Sequence, residues 1–162
     1  MKQIVAIACA LTLTHASAHA QSTPVSEYGT PIAAEQAQAL IQRGMELAAT
    51  RGFKMAFAVV EPSGELVAFT RMDGVPYASI RLAQQKARTA ARLRVSSAAL
   101  EERVKNGRTV LLSSDEVIAI GGGVLIVIDN RIIGALGISG ATADQDTEIA
   151  EATLGAALRA RE

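Results

Sequence analysis

From Ile32 the chain places apolar side chains at Ala33, Ala37, Leu40, Ile41 and Ala48, the three-to-four-residue period of an amphipathic helix. Thr30-Pro31 fits the N-cap and first helical position, and Gly52 follows the end near Thr50, the proline-before, glycine-after asymmetry of helices. The polar stretch from Gln21 to Gly29, with Pro24 in it, reads as a loose leader. Beyond the helix the period shortens. Residues 54–60 and 65–71 read as two strands joined by Glu61-Pro62-Ser63-Gly64, with proline second and glycine fourth in the turn. Phe53, Phe57 and Phe69 belong to this region and are expected to fill the core. A second helix begins at Ala78 or Ser79 and runs to about Val95, turning Leu82, Ala83, Ala87, Ala90 and Leu93 inward.

Ser97 caps a short helix over residues 98–105, which Asn106-Gly107 stops. Residues 109–120 accommodate short strands near 110–112 and 117–120. A long hairpin follows. Val124 to Ile128 is apolar at every position, the pattern of a central, solvent-shielded strand. Asp129-Asn130 supplies residue types that tolerate a tight hairpin turn. The returning run carries Gly134 and Gly137, marks of a bulge or of a close approach to the backbone. Thr142-Ala143-Asp144-Gln145 reads as a capping box, and Ile149, Ala150, Thr153, Leu154, Ala157 and Leu158 form the inner stripe of a terminal helix. Two hairpins interleaved with helices predict an α+β domain: an antiparallel sheet of about five strands covered by helices.

The first twenty residues stand apart from this pattern. Lys2, the apolar run from Ile4 to Leu13 and the Ala18-His19-Ala20 site form a signal peptide. The mature chain then begins at Gln21, with a flexible leader over residues 21–30 and one domain over residues 31–162. A periplasmic or secreted location follows, with no membrane span in the mature chain. Removal of that segment takes Cys9, His15 and His19 with it, so the mature chain has no cysteine, histidine or tryptophan. Disulfides, Cys/His zinc sites and Ser-His-Asp or Cys-His catalysis are thereby excluded. Any general acid or base must be Asp, Glu, Lys or Tyr. With Lys2 lost, fifteen basic residues face sixteen acidic ones, a net charge of −1. That balance argues against nucleic acid as a partner.

Three groups of residues carry candidate chemistry. The Arg71-Met72-Asp73-Gly74-Val75-Pro76-Tyr77 loop gathers a guanidinium, a thioether, a carboxylate and a phenol, a ligand-binding edge in the functional alternative and a solvated turn in the bland one. Lys86 lies on the inner phase of the second helix, where a lysine either snorkels to water or meets an anion at a pocket mouth. Gly121-Gly122-Gly123 offers backbone amides as donors. Arg81, Arg88 and Arg92 form a stripe on another side of the second helix, a solvated face or a subunit interface.

The ordered set Ala58-Val59-Val60-Glu61, Gly64-Glu65-Leu66-Val67-Ala68, Arg71-Met72-Asp73-Gly74, Lys86-Ala87-Arg88-Thr89-Ala90, Gly121-Gly122-Gly123-Val124-Leu125-Ile126 and Gly134 to Gly140, with Asp146 after it, resembles the GlcG/HbpS family. This family is also called the haem-degrading domain and includes the carboxy-terminal domain of PduO-type proteins. The resemblance implies a profilin-like or PAS-like fold, a homo-oligomer and, for some members, haem or tetrapyrrole binding. Glu61 stands where the family usually has aspartate, Leu125 where it usually has proline, and the mature chain lacks the histidine that haem-binding members use. Two functions compete. One is an exported small-ligand-binding protein for haem, another tetrapyrrole or a small anionic ligand. There Arg71, Asp73, Tyr77, Lys86 and Gly121, Gly122 and Gly123 form the site, and Tyr77, Tyr28 or Met72 meets the iron. The other is a metal-independent isomerase or lyase acting on a small organic acid, with Lys86 as base or Schiff-base former and Asp73 or Glu61 as its partner. A structural or sensory accessory, in which surfaces matter more than a pocket, is a third reading.

Overall fold

The computed structural model describes residues 27–159; the signal-peptide reading and residues 21–26 of the leader lie outside them. The elements in order are β1 (Glu27–Tyr28), α1 (Ala34–Thr50), β2 (Ala56–Val60), β3 (Leu66–Arg71), α2 (Tyr77–Leu93), α3 (Ser97–Lys105), a 3-10 turn (Thr109–Ser113), β4 (Gly123–Ile128), β5 (Arg131–Ser139) and α4 (Ala143–Arg159). They build a five-stranded sheet between helices, the α+β arrangement expected. β5 pairs antiparallel with β4 along one edge, and along the other with β2 and, parallel, with β1; β3 closes the far side against β2.

Every residue of β2 is buried, and its alternation divides the core. Phe57 and Val59 join Leu40, Ile41, Leu136, Ile138 and Ile149 in the layer under α1 and α4. Ala56, Ala58 and Val60 join Ala83, Ala87, Ala90 and Ala135 under α2. The second layer is thin because its side chains are small. A Cβ on Gly137 would lie 2.0 Å from the Ala83 carbonyl oxygen, and one on Gly123 would lie 2.2 Å from that of Lys86. The close approach anticipated for the strand glycines is therefore helix α2 itself, seated on the sheet backbone.

The structure corrects several expectations. Thr30-Pro31 does not start α1. The Gly29 and Ile32 amides donate to the carbonyls of Ile132 and Ile133 at 2.9 and 2.8 Å. These bonds to β5 hold residues 29–32 out of the helix, which starts at Ala34. The same pairing makes Glu27–Tyr28, within the segment read as leader, a short strand. Residues 110–112 form a 3-10 turn and 117–120 no regular strand. The Thr89 hydroxyl instead donates to the Glu116 carbonyl and accepts the Ile118 amide, which secures this connection without a partner strand. α2 begins at Tyr77, earlier than its polar pattern suggests, and ends where Arg94 turns left-handed at φ 52°. Leu93, expected inward, is exposed. β4 is an edge strand, since β5 is its only partner among the described residues. The two turns were legible: Asp129 and Asn130 have φ of 48° and 59°, as a two-residue hairpin turn requires. Thr142 and Gln145 exchange both bonds of a capping box.

Candidate functional site

The glycine stretch and Lys86 do come together, but inside the protein. Lys86 is 1% exposed. Its ammonium donates to Asp146 Oδ2 at 2.7 Å and to the Ile138 carbonyl at 3.1 Å. The other carboxylate oxygen, Oδ1, accepts the Ala141 amide at 3.0 Å. Burial pushes the Asp146 carboxyl above the ordinary aspartate range; the Lys86 ammonium and the Ala141 and Gly140 amides oppose that rise. Two of the three amides expected to meet a ligand, those of Gly121 and Gly123, already have partners. Gly121 donates to Glu101 Oε2 at 2.7 Å and Gly123 to Ser97 Oγ at 2.8 Å. At Glu101 burial works against the charge, yet the Gly121 amide and Lys105 together hold the carboxyl below its usual range. Lys86, Asp146 and the glycine turn thus lock α2, β4, β5 and α4 to one another. As a lone buried lysine Lys86 would be a strong candidate for base or Schiff-base chemistry; bound to a buried carboxylate it is a structural tie.

The other candidates are scattered. Arg71, the last residue of β3, and Asp73, on the β3–α2 connection, are exposed, and Tyr77 is 84% exposed at the start of α2. Met72 packs against the core instead of facing outward. The Tyr28 hydroxyl donates to the carbonyls of Ala91 and Arg92 at 2.9 and 3.2 Å, and Arg94 stacks 5.5 Å above its ring. Glu61 accepts the Ser63 hydroxyl within its own turn. Among the described residues no cluster of three or more His, Cys, Asp or Glu side chains could hold a metal ion. No helix among them is long and apolar enough to cross a membrane.

Open space occurs elsewhere, on the opposite sheet face from α2. A groove of about 340 Å³ lies between α1, the end of α4 and the β4–β5 hairpin, a volume within the usual range of small-molecule sites. Its walls are apolar: Ile32, Leu40, Ile126, Ile128, Ile133 and Leu154 are among them. Gln36 and Arg43 supply the polar lining. Residues 36, 39, 40 and 43 recur at helical spacing, so one face of α1 forms one wall. The Arg43 guanidinium is half-buried and gives one N–H to the Ala156 carbonyl at 2.8 Å. A guanidinium has five N–H donors, so this leaves donors for an anion. None of the seven residues singled out from the sequence lines the groove. Its signal was the all-apolar β4. On an edge strand such a run needs a cover on both faces, and the groove lies where that cover over β4 is incomplete.

Fold and groove together define a small α+β domain, with a five-stranded sheet between helices and an apolar, arginine-bearing groove on one face. The chain belongs to the haem-degrading protein HbpS-like family, whose model matches residues 32–155. Protein GlcG of Escherichia coli strain K12 is 38% identical over 105 residues, covering 65% of this chain and 78% of GlcG. Klebsiella pneumoniae protein ORFY has the same fold, with a TM-score of 0.73 at 25% identity over 83% of this chain and 96% of ORFY. So does the protein in the PduOC–haem complex, with a TM-score of 0.70 at 26% identity over 78% of this chain and 95% of that one.

Proposed function

We propose that this protein binds haem or a related carboxylated tetrapyrrole in the groove between α1 and β4, as an exported homo-oligomer. The observation that carries the proposal is the groove's composition: continuous apolar walls with one guanidinium, Arg43, set among them. A tetrapyrrole has that same division, an apolar macrocycle with carboxylate side chains. Burial of the ring edge contributes about 25 cal/mol per Å² of apolar surface. A carboxylate on Arg43 adds a charge-assisted, two-pronged hydrogen bond. Membership in a family described as haem-degrading supports the ligand class, as does a neighbour of the same fold solved with haem. Binding alone is proposed.

Titration of the purified protein with haem tests this. A displaced Soret band that saturates at one haem per chain is expected; a spectrum equal to that of haem in buffer rejects the proposal. Export rests on the Ala18-His19-Ala20 site and predicts an intact mass beginning at Gln21, which a retained Met1 contradicts.

A further inference from the structure

We propose that the groove takes its tetrapyrrole without regard to the central metal: it recognises the carboxylated macrocycle and leaves the iron without an axial ligand from this chain. The proposal rests on tetrapyrrole binding in the groove and adds what the site reads in that ligand. Protein axial ligands to haem iron are histidine, cysteine, methionine or tyrosine. The groove lining contains none of them; its polar members are Gln36 and Arg43, an amide and a guanidinium that stays protonated and offers no lone pair.

The other donors of the described residues are committed or distant. Tyr28 spends its hydroxyl on backbone carbonyls at the end of α2, under the Arg94 guanidinium. Tyr77 belongs to the first turn of α2, the helix on the other sheet face. Met55 is fully buried, and Met45 and Met72 pack against the core. His15, His19 and Cys9 lie outside the described residues and within the segment read as a signal peptide. The residues present therefore fit the ring and its carboxylates and do not fit the metal. A site of this kind suits metal-free porphyrins and open-chain tetrapyrroles as well as haem.

The test compares iron(III) protoporphyrin IX with metal-free protoporphyrin IX, on the full chain and on its His15→Ala/His19→Ala variant. Calorimetry should give dissociation constants for the two ligands within about threefold of each other in both proteins, because an axial bond is what would separate them. Arg43→Met should weaken both ligands in parallel by about tenfold or more, the loss of a charge-assisted contact, and Arg88→Met on α2 should weaken neither. The ratio of the two affinities is readable in the unsubstituted chain, so a poorly folded Arg43 variant does not obscure the answer. A preference for the iron form above about tenfold in either protein overturns the proposal. So does a Soret signature of an axial nitrogen, sulfur or phenolate in the haem complex. Failure of both ligands to bind overturns instead the tetrapyrrole reading on which the proposal rests.

Discussion

Lys86 shows how far a single residue can be read from sequence. Helical phase put its stem on the inner face of α2, and the structure agrees. The anion it meets is Asp146, sixty residues away and at the first turn of another helix, a partner no local pattern reveals. Replacing a buried ion pair with apolar groups of similar size is commonly neutral, whereas removing one partner is costly. Asp146→Ala should therefore destabilise by about 3–5 kcal/mol, and Lys86→Met/Asp146→Leu should restore most of that loss in chemical denaturation. A double variant as unstable as the single one contradicts the structural role. The pair also predicts a pH dependence. The Asp146 carboxyl is raised in the folded state, so its favourable contribution is complete below the unfolded value. It is lost as pH rises through the folded value. Relative to Asp146→Asn, the unsubstituted protein should lose stability across that interval and stay level above it. A gain over the same interval reverses the sign and refutes the assignment. Arg43, by contrast, had no distinctive signature, because an arginine on the polar side of a helix pattern looks like any solvated cation.

Among the elements, the hairpins, their turns and the four helices follow from period and turn chemistry. The errors have a common source: hydrogen bonds to distant segments. Sheet bonds from Gly29 and Ile32 to β5 delay α1, and the pairing order that puts β4 at the edge is set by β5 and β2. Sequence pattern marks a strand as apolar, but helices can supply the cover that a neighbouring strand would otherwise give. The strand glycines were legible as sites of close approach, though not what approached. Gly137→Ala tests that contact. Its Cβ would fall 2.0 Å from the Ala83 carbonyl and 2.9 Å from the Ala87 methyl, so α2 must lift from the sheet. A loss of about 1–3 kcal/mol is expected, the usual scale of overpacking. An unchanged denaturation midpoint shows that α2 does not sit on β5 as described.

For the whole molecule, the fold class and family were legible because the ordered motifs span most of the domain. The groove was not, since it joins α1, α4 and β4 from three distant parts of the chain. Exposed Val110 and Leu112 on the connection after α3 are consistent with the proposed homo-oligomer, and light scattering at tens of micromolar should give at least a dimer mass; a monomer mass rejects it. The central claim is that the groove, and not the Arg71–Tyr77 loop, receives the ligand. Hydrogen–deuterium exchange with and without saturating protoporphyrin IX tests it most directly. Slowed exchange is predicted over residues 32–43 and 125–128, with residues 71–77 unchanged. Protection confined to residues 71–77, with the groove segments unaltered, contradicts the account.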